Sequence, residues 1–324
     1  MVQSNKTPNQ LLHDAVVRHQ VFLLRSAGVL QRKVVEALQE SEARIKLAIV
    51  EHPRRNRLEL MALLAAVTTL RRQAWRKVSR EWLASLAELT AREPMFLTDT
   101  LNEVAPIVIQ ITPLKNTDTI VTQTAVMGKT AQEWFDDAEA SDIDRIETSI
   151  RWSDEKEDSD RVLLALLFGM GGLATQTERG LSTITATALM GLTSAVAMDF
   201  FALNTQLAMR WLFVAVLDNR TTPLCRSLSG KTYLIGKGPI PPLHWYCRSR
   251  AVPFVNLKNW GGVPRSPSYA EWLGGQSVQF QDEILGPTRG RLFRSGGVTL
   301  ARFVDYNTGK QFTLEELAKR EGQS

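Results

Sequence analysis

The spacing of apolar residues sets the first half of the chain. Leu12, Val16, Leu23, Ala27, Leu30, Val34, Leu38, Ile45 and Ile49 follow steps of three and four, the period of a helix with one buried face. Pro53 interrupts the pattern, since an interior proline removes a helical hydrogen bond and clashes with the preceding turn. The period resumes through Leu60, Leu63, Val67, Leu70, Val78, Trp82, Leu86 and Leu89. Two long helices across a short break predict a helical hairpin. Pro106 to Thr112, PIVIQIT, places β-branched residues near alternation and predicts a strand. Ala131 to Ile150 reads as a helix packing through Trp134, Ile143, Ile146 and Ile150. The charged run from Arg151 to Arg161 predicts an exposed loop. GMGG from Gly169 lacks the Lys-Ser or Lys-Thr of a phosphate loop and reads as a bend.

The second half changes character. Thr183 to Met209 has Asp199 as its single charge, so it predicts a helix buried in the protein or in a subunit interface. Asp199 itself reads as a cap, a polar contact or an exposed side chain. Trp211 to Leu217 predicts a buried strand, Thr232 to Ile235 a second strand making a small hairpin, and Ala251 to Val255 a returning strand. In the tail, Tyr269 to Leu273 and Val278 to Leu285 read as short helices. Thr313 to Lys319 closes the chain, with Thr313 and Glu316 at capping-box spacing. The expected class is α+β: a helical arm over 1–100, a mixed helix and small-sheet domain over 101–256, and an extension over 257–324 packed on that domain or on a neighbour.

Composition narrows the partners. With 324 residues, 44% hydrophobic and 23% charged, the chain belongs among soluble globular proteins. Its polar start lacks the pattern of a secretory signal and points to synthesis in a cytoplasm. The apolar run Val162 to Leu173 is 12 residues long, where a membrane span needs about 20, so no span is expected. The net charge of +5 is segregated: residues 1–92 carry 16 bases against 8 acids, and residues 133–160 carry 12 acids against 3 bases. Arg54, Arg55 and Arg57 crowd the helical break, and Arg72, Arg76, Lys77 and Arg80 follow, three of them spaced by four. Such a ridge suits phosphates of double-stranded DNA. A solvated face partly paired with Glu81 and Glu88 accounts for it equally in kind.

Candidate chemistry gathers late. Cys225, His244 and Cys247 are ligand types suited to zinc, and His-x-x-Cys has knuckle-like spacing. Four outcomes stay open from the residues: packed reduced thiols, a structural zinc completed by another residue, a disulfide, or a catalytic metal. His244 also fits as a packed, hydrogen-bonded ring. Asp218 and Arg220, two apart, are placed to pair if strand geometry continues.

The order Asp218, Arg220, Thr221, Cys225, Leu228, Gly230, Lys231, Pro241, Pro242, Leu243, His244, Cys247, Arg248 resembles the head-morphogenesis minor head proteins of tailed bacteriophages, typified by the F protein of phage Mu. The helical first half and the tail are similar more loosely. In that family a further Cys often stands three positions before the first; here the position is Thr222, a poor zinc ligand. The resemblance implies a non-enzymatic virion protein inside the phage head, made in the host cytoplasm. It further implies association with the portal protein and other head proteins, and a part in head assembly, DNA packaging or DNA ejection. A competing reading is a zinc-assisted nuclease or hydrolase built on Cys225, His244 and Cys247. A third is a nucleic-acid-binding module acting through Arg72, Arg76 and Arg80.

Overall fold

The structure is a computed structural model that describes residues 6–54, 56–115, 117–306 and 308–321. In chain order the helices and strands are α1 (Pro8–Glu51), α2 (Arg57–Ala91), α3 (Glu93–Val104), α4 (Thr117–Gln123), α5 (Ala131–Glu155), α6 (Asp160–Phe168), α7 (Leu173–Leu203), β1 (Met209–Val214), α8 (Pro223–Leu228), β2 (Thr232–Leu234), β3 (Arg250–Val255), α9 (Tyr269–Gly274), α10 (Val278–Leu285), α11 (Pro287–Arg294) and α12 (Leu314–Glu321). Helices dominate and one small antiparallel sheet is present, so the class is α+β with a long N-terminal helix. The chain forms two compact units. One takes the stretch ending at Gln20, Pro94–Leu114 and the chain from Ala197 onward; the other takes Val21–Glu93 and Lys115–Val196. Residues 1–100 therefore contribute to both.

The second of these units is helical. Many of the apolar positions expected on α1 and α2 form its core: Leu23, Leu30, Val34, Val78 and Trp82, joined by Trp75, pack with Phe135 of α5 and Leu189 of α7. A separate cluster joins Ile45 and Ile49 to Leu63, Val67, Ile146, Ile150, Leu163 and Leu167. Asn56 caps α2, its side chain accepting from the Leu58 and Glu59 amides, which satisfies donors that a helix start leaves open. The buried face of α7 over Ala186–Leu192 lies inside this unit, so the apolar character of this stretch needs no subunit interface. Its threonines stay buried because they bond within the helix, Thr187 to the Thr183 carbonyl and Thr193 to that of Leu189. Asp160–Leu203 is long and apolar enough to cross a membrane by length and composition, yet 78% of its apolar window is buried inside the protein. The segment read as a loop over Arg151–Arg161 is mostly helix, with α5 running to Glu155 and α6 starting at Asp160.

A buried polar knot crosses this helical core. Arg71 donates Nε to Asp142 Oδ2 at 2.6 Å and Nη1 to the Leu38 carbonyl and Ser41 Oγ. Trp75 Nε1 and Thr177 Oγ1 also donate to Asp142, at 2.8 and 2.7 Å. Both carboxylate oxygens thereby accept, Oδ2 twice and Oδ1 once, and α1, α2, α5 and α7 are linked through this knot.

The other unit holds the sheet, ordered β2-β1-β3 with both pairings antiparallel. Trp211 stands opposite Tyr233 on one side and Pro253 on the other. A proline is tolerated there because β3 is an edge strand. Asn9 of α1 lies beside β3, its amide donating to the Val255 carbonyl and accepting from the Val255 amide at 2.8 Å each. The expected strand at Pro106–Thr112 is absent: these residues form no ladder. Instead the Asn204 side chain pairs with both backbone groups of Thr112, so one amide takes the place of a neighbouring strand. The tail packs on the motif segment, with Tyr269, Leu273, Phe303 and Val304 buried against Leu217 and Leu224. Thr313 and Glu316 make the expected capping box.

Asp142→Ala is expected to cost about 3 to 5 kcal/mol of unfolding free energy, because it strands a buried guanidinium. Urea denaturation reads this loss, and Arg71→Met combined with Asp142→Leu is expected to recover most of it.

Candidate functional site

The motif residues converge at the end of β1. The strand stops at Val214, and Asp218 then organises a turn: its Oδ1 accepts from the amides of Arg220 and Thr221 at 3.1 and 3.0 Å. This is an Asx-type turn, in which a short acidic side chain replaces a backbone acceptor. Arg248 grips the same carboxylate with both terminal nitrogens, at 2.7 and 2.8 Å, a bidentate geometry specific to guanidinium. The expected pair between Asp218 and Arg220 is loose, at 3.7 Å with the Arg220 side chain 78% exposed. The reason is that the turn, rather than continuing strand, carries both residues. Hydrogen bonding from Arg248 lowers the Asp218 carboxyl from its ordinary 3.8 to about 2.

After the turn, Thr222 caps α8 and Pro223 occupies its first position. Cys225 sits on the first turn of this helix, fully buried. The chain returns toward β2, and just before it Gly230 donates its amide to the Phe213 carbonyl and Lys231 Nζ reaches Tyr306 Oη at 2.9 Å. Gly230 has φ +86 and Gly238 φ +87. A Cβ on Gly238 would lie 2.4 Å from the Tyr233 ring, so the loop can lie on that ring only without a side chain. Trp211 Nε1 holds the same loop by the Leu234 and Lys237 carbonyls. The Pro241–Pro242 bond that follows is cis, and His244 comes two residues later.

The turn from His244 to Cys247 closes with the Cys247 amide on the His244 carbonyl at 3.1 Å. Tyr246 takes φ +58, a left-handed conformation uncommon outside glycine. The fold thus brings together Cys225, His244 and Cys247, with one ligand atom from each within 4.8 Å of the others. Among the described residues this is the one grouping of His, Cys and carboxylates close enough to share an ion. The two sulfurs are 3.7 Å apart and His244 Nε2 is 3.3 Å from Cys225 Sγ. His244 Nδ1 lies 2.8 Å from the Trp245 carbonyl, an atom that only accepts. Nδ1 therefore carries a proton, and the lone pair of the neutral ring is on Nε2, facing the sulfurs. This second interaction orients an imidazole for metal.

Electrostatics within the cluster are uneven. A hydrogen bond to Cys247, with burial added, pushes the Cys225 thiol up. Cys247 is pulled below an ordinary thiol by the bond from Cys225 and by His244. Burial disfavours charge on His244, but its bond and proximity to Cys247 outweigh this and raise it. The cluster can hold a metal ion through two sulfurs and one nitrogen. A cavity of about 20 Å3 adjoins it, lined by Thr222, Cys225, His244, Tyr246, Arg248 and Ser249 among others. That is room for one water molecule. Thr222 Oγ1 is 3.0 Å from His244 Nε2, so it hydrogen-bonds the ring while capping α8.

The basic ridge divides. Arg54 is spent inside the helical unit, its guanidinium bonding Ser153, the Asp158 carbonyl and Asp160. Arg55 lies outside the described residues. Arg57, Arg72, Arg76, Lys77 and Arg80 are exposed, with Lys77 near Glu40 at 3.1 Å. Arg72 shares a groove with Asp136, Glu139, Asp144 and Glu147, which weakens its field toward phosphate. Two participants in the site carry no motif signal. Tyr269 donates from Oη to the Asp218 carbonyl at 2.7 Å, from 51 residues away, and Arg226 bonds the carbonyls of Asn219 and Ile284.

Fold and site together define an α+β protein whose small sheet supports a Cys-His-Cys knot with both cysteines buried. No family model, curated protein or solved structure matches the chain.

Asp218→Asn is expected to cost about 1 to 2 kcal/mol at pH 7, the pair being partly solvated. The folded carboxyl titrates lower than the unfolded one, so its contribution is present above pH 3.8 and is lost as pH falls toward 2. Denaturation of variant and wild type should therefore converge in that window.

Proposed function

We propose that this chain is a non-enzymatic minor head protein of a tailed bacteriophage. It resides in the virion near the portal vertex and acts in head assembly, DNA packaging or DNA delivery. The observation that carries the reading is the convergence of the resembling residues. Asp218 clamps Arg248, and Cys225 meets His244 and Cys247, while Gly230 is tied back to Phe213 of β1. A motif kept for structure is expected to pack in this way. Residues lining the small cavity include no Asp, no Glu and no second His, so hydrolysis there would lack a general base beyond His244. The zinc-assisted nuclease reading is correspondingly the weaker one. Its partners on this view are the portal protein, other head proteins and double-stranded DNA, the last met by Arg57, Arg76, Lys77 and Arg80.

On this reading an ion at Cys225, His244 and Cys247 would be a zinc with a structural role, its fourth position filled by Thr222 or by the one water the adjoining cavity can hold. Thiolates at about 2.3 Å from a tetrahedral zinc lie about 3.8 Å from one another, and the sulfurs here are 3.7 Å apart. Zinc would cross-link α8 to the His244–Cys247 turn.

Protein composition of purified procapsids tests the main reading: the chain is expected there, and a portal pull-down is expected to recover it. Absence from both would sink it. Elemental analysis of the purified chain is expected to give about one zinc per molecule. Cys247→Ser should bring this near zero and cut the unfolding midpoint, while zinc well below stoichiometry in wild type would leave the thiols simply packed.

A further inference from the structure

Helix α6 is apolar on more faces than its own unit covers. From Val162 to Phe168 it reads VLLALLF, without a polar side chain. Leu163 and Leu167 are fully buried against α1, α2 and α5. Val162, Ala165 and Leu166 are open to solvent, Val162 and Leu166 on one side at i and i+4, and Met170 in the turn after the helix is exposed as well. Single exposed apolar residues are ordinary, but a helix apolar all round belongs in an interior. The flanks extend the row. Arg54 bonds Asp160, and the Lys46 ammonium lies 5.0 Å over the Phe168 ring, so α6 runs antiparallel to the end of α1. Val50, 61% exposed, is then level with the middle of α6, and Trp152 at the end of α5 is exposed as well.

Charge distinguishes the two ends of the row. Asp154 to Arg161, at the start of α6, carries five carboxylates and two bases, and Arg54, bonded to Asp160, brings a third base and leaves an acidic excess. The far end carries exposed Lys46 over Phe168. We propose that this row is the contact surface for a second copy of the chain, two α6 helices crossing antiparallel about a two-fold axis near Ala165. Isologous packing places each Lys46 against the acidic end of the other copy and opposes the helix dipoles. The small Ala165 side chain allows close approach at the axis. A lipid surface is the poorer occupant, since interfacial helices carry basic flanks and this one begins in acid. Nine residues give a helix about 13 Å long, so the contact is small and the association weak. This inference rests on α6 and its neighbours and is independent of the head-protein reading.

Sedimentation velocity of the full chain across the micromolar range tests it. A concentration-dependent monomer–dimer equilibrium is expected. Leu166→Lys should raise the dissociation constant by about thirtyfold or more with an unchanged circular dichroism spectrum, and Lys46→Glu should weaken the dimer in a salt-dependent way. Ala165→Cys, which keeps the test alive if Leu166→Lys misfolds, is expected to give an oxidised cross-linked dimer. A wild type that stays monomeric well above micromolar concentration overturns the proposal. So does a dimer indifferent to Leu166→Lys, or one in which Ala165→Cys does not cross-link. A monomer that floats with phosphatidylcholine vesicles also overturns it, by assigning the row to lipid.

Discussion

The bidentate pair between Asp218 and Arg248 joins segments 30 residues apart, and the geometry around it follows. Asp218 shapes the turn that delivers Thr222 and Cys225 to α8. Arg248 follows Cys247 directly in the chain, so fixing its guanidinium fixes the second sulfur as well. The pair therefore sets the separation of two cysteine-bearing segments that β2 and a proline-rich loop would otherwise leave loosely related. Tyr269, donating to the Asp218 backbone, ties the tail to the same point. An ion pair partly open to water contributes modest stability; here its worth is positional, because the ligand atoms of the cluster tolerate little displacement.

Arginine serves two opposite purposes along the N-terminal helices. Arg71 is buried and bonds residues of α1 and α5 from α2, while Arg76 and Arg80 one and two turns further face solvent. Their identical side chains read alike in a charge count. What separates them is the carboxylate of Asp142, which needs a cation in the core. Charge segregation along the chain accordingly overstates the free basic surface.

The long helices were legible because burial repeats with the helical period: each apolar position assigned to α1 is buried, from Leu12 to Ile49. The three strands around the motif were legible as short apolar runs between turn residues. Pro106–Thr112 misled because β-branched composition reports compatibility with extended backbone, not the presence of a partner strand. Asn204, 92 residues away, supplied that partner as a side chain. The site was half readable. Cys225, His244 and Cys247 announce themselves by type and spacing, whereas the choice of Arg248 over Arg220 as the Asp218 partner depends on where β1 ends. Tyr269 and Arg226 carry no local signature at all, since their roles arise only when the tail folds back.

The interleaving of the two units also orders events during synthesis. Domains form as their segments emerge from the ribosome, and the helical unit is complete once Val196 is available. Leu12 and Val16, by contrast, pack with Trp211, Val252 and Val255, residues made far later. The first turns of α1 must therefore wait, apolar and uncovered, while the rest of the same helix is already buried. That interval is when the nascent chain is most exposed to aggregation, and when an early assembly partner or chaperone has most to protect.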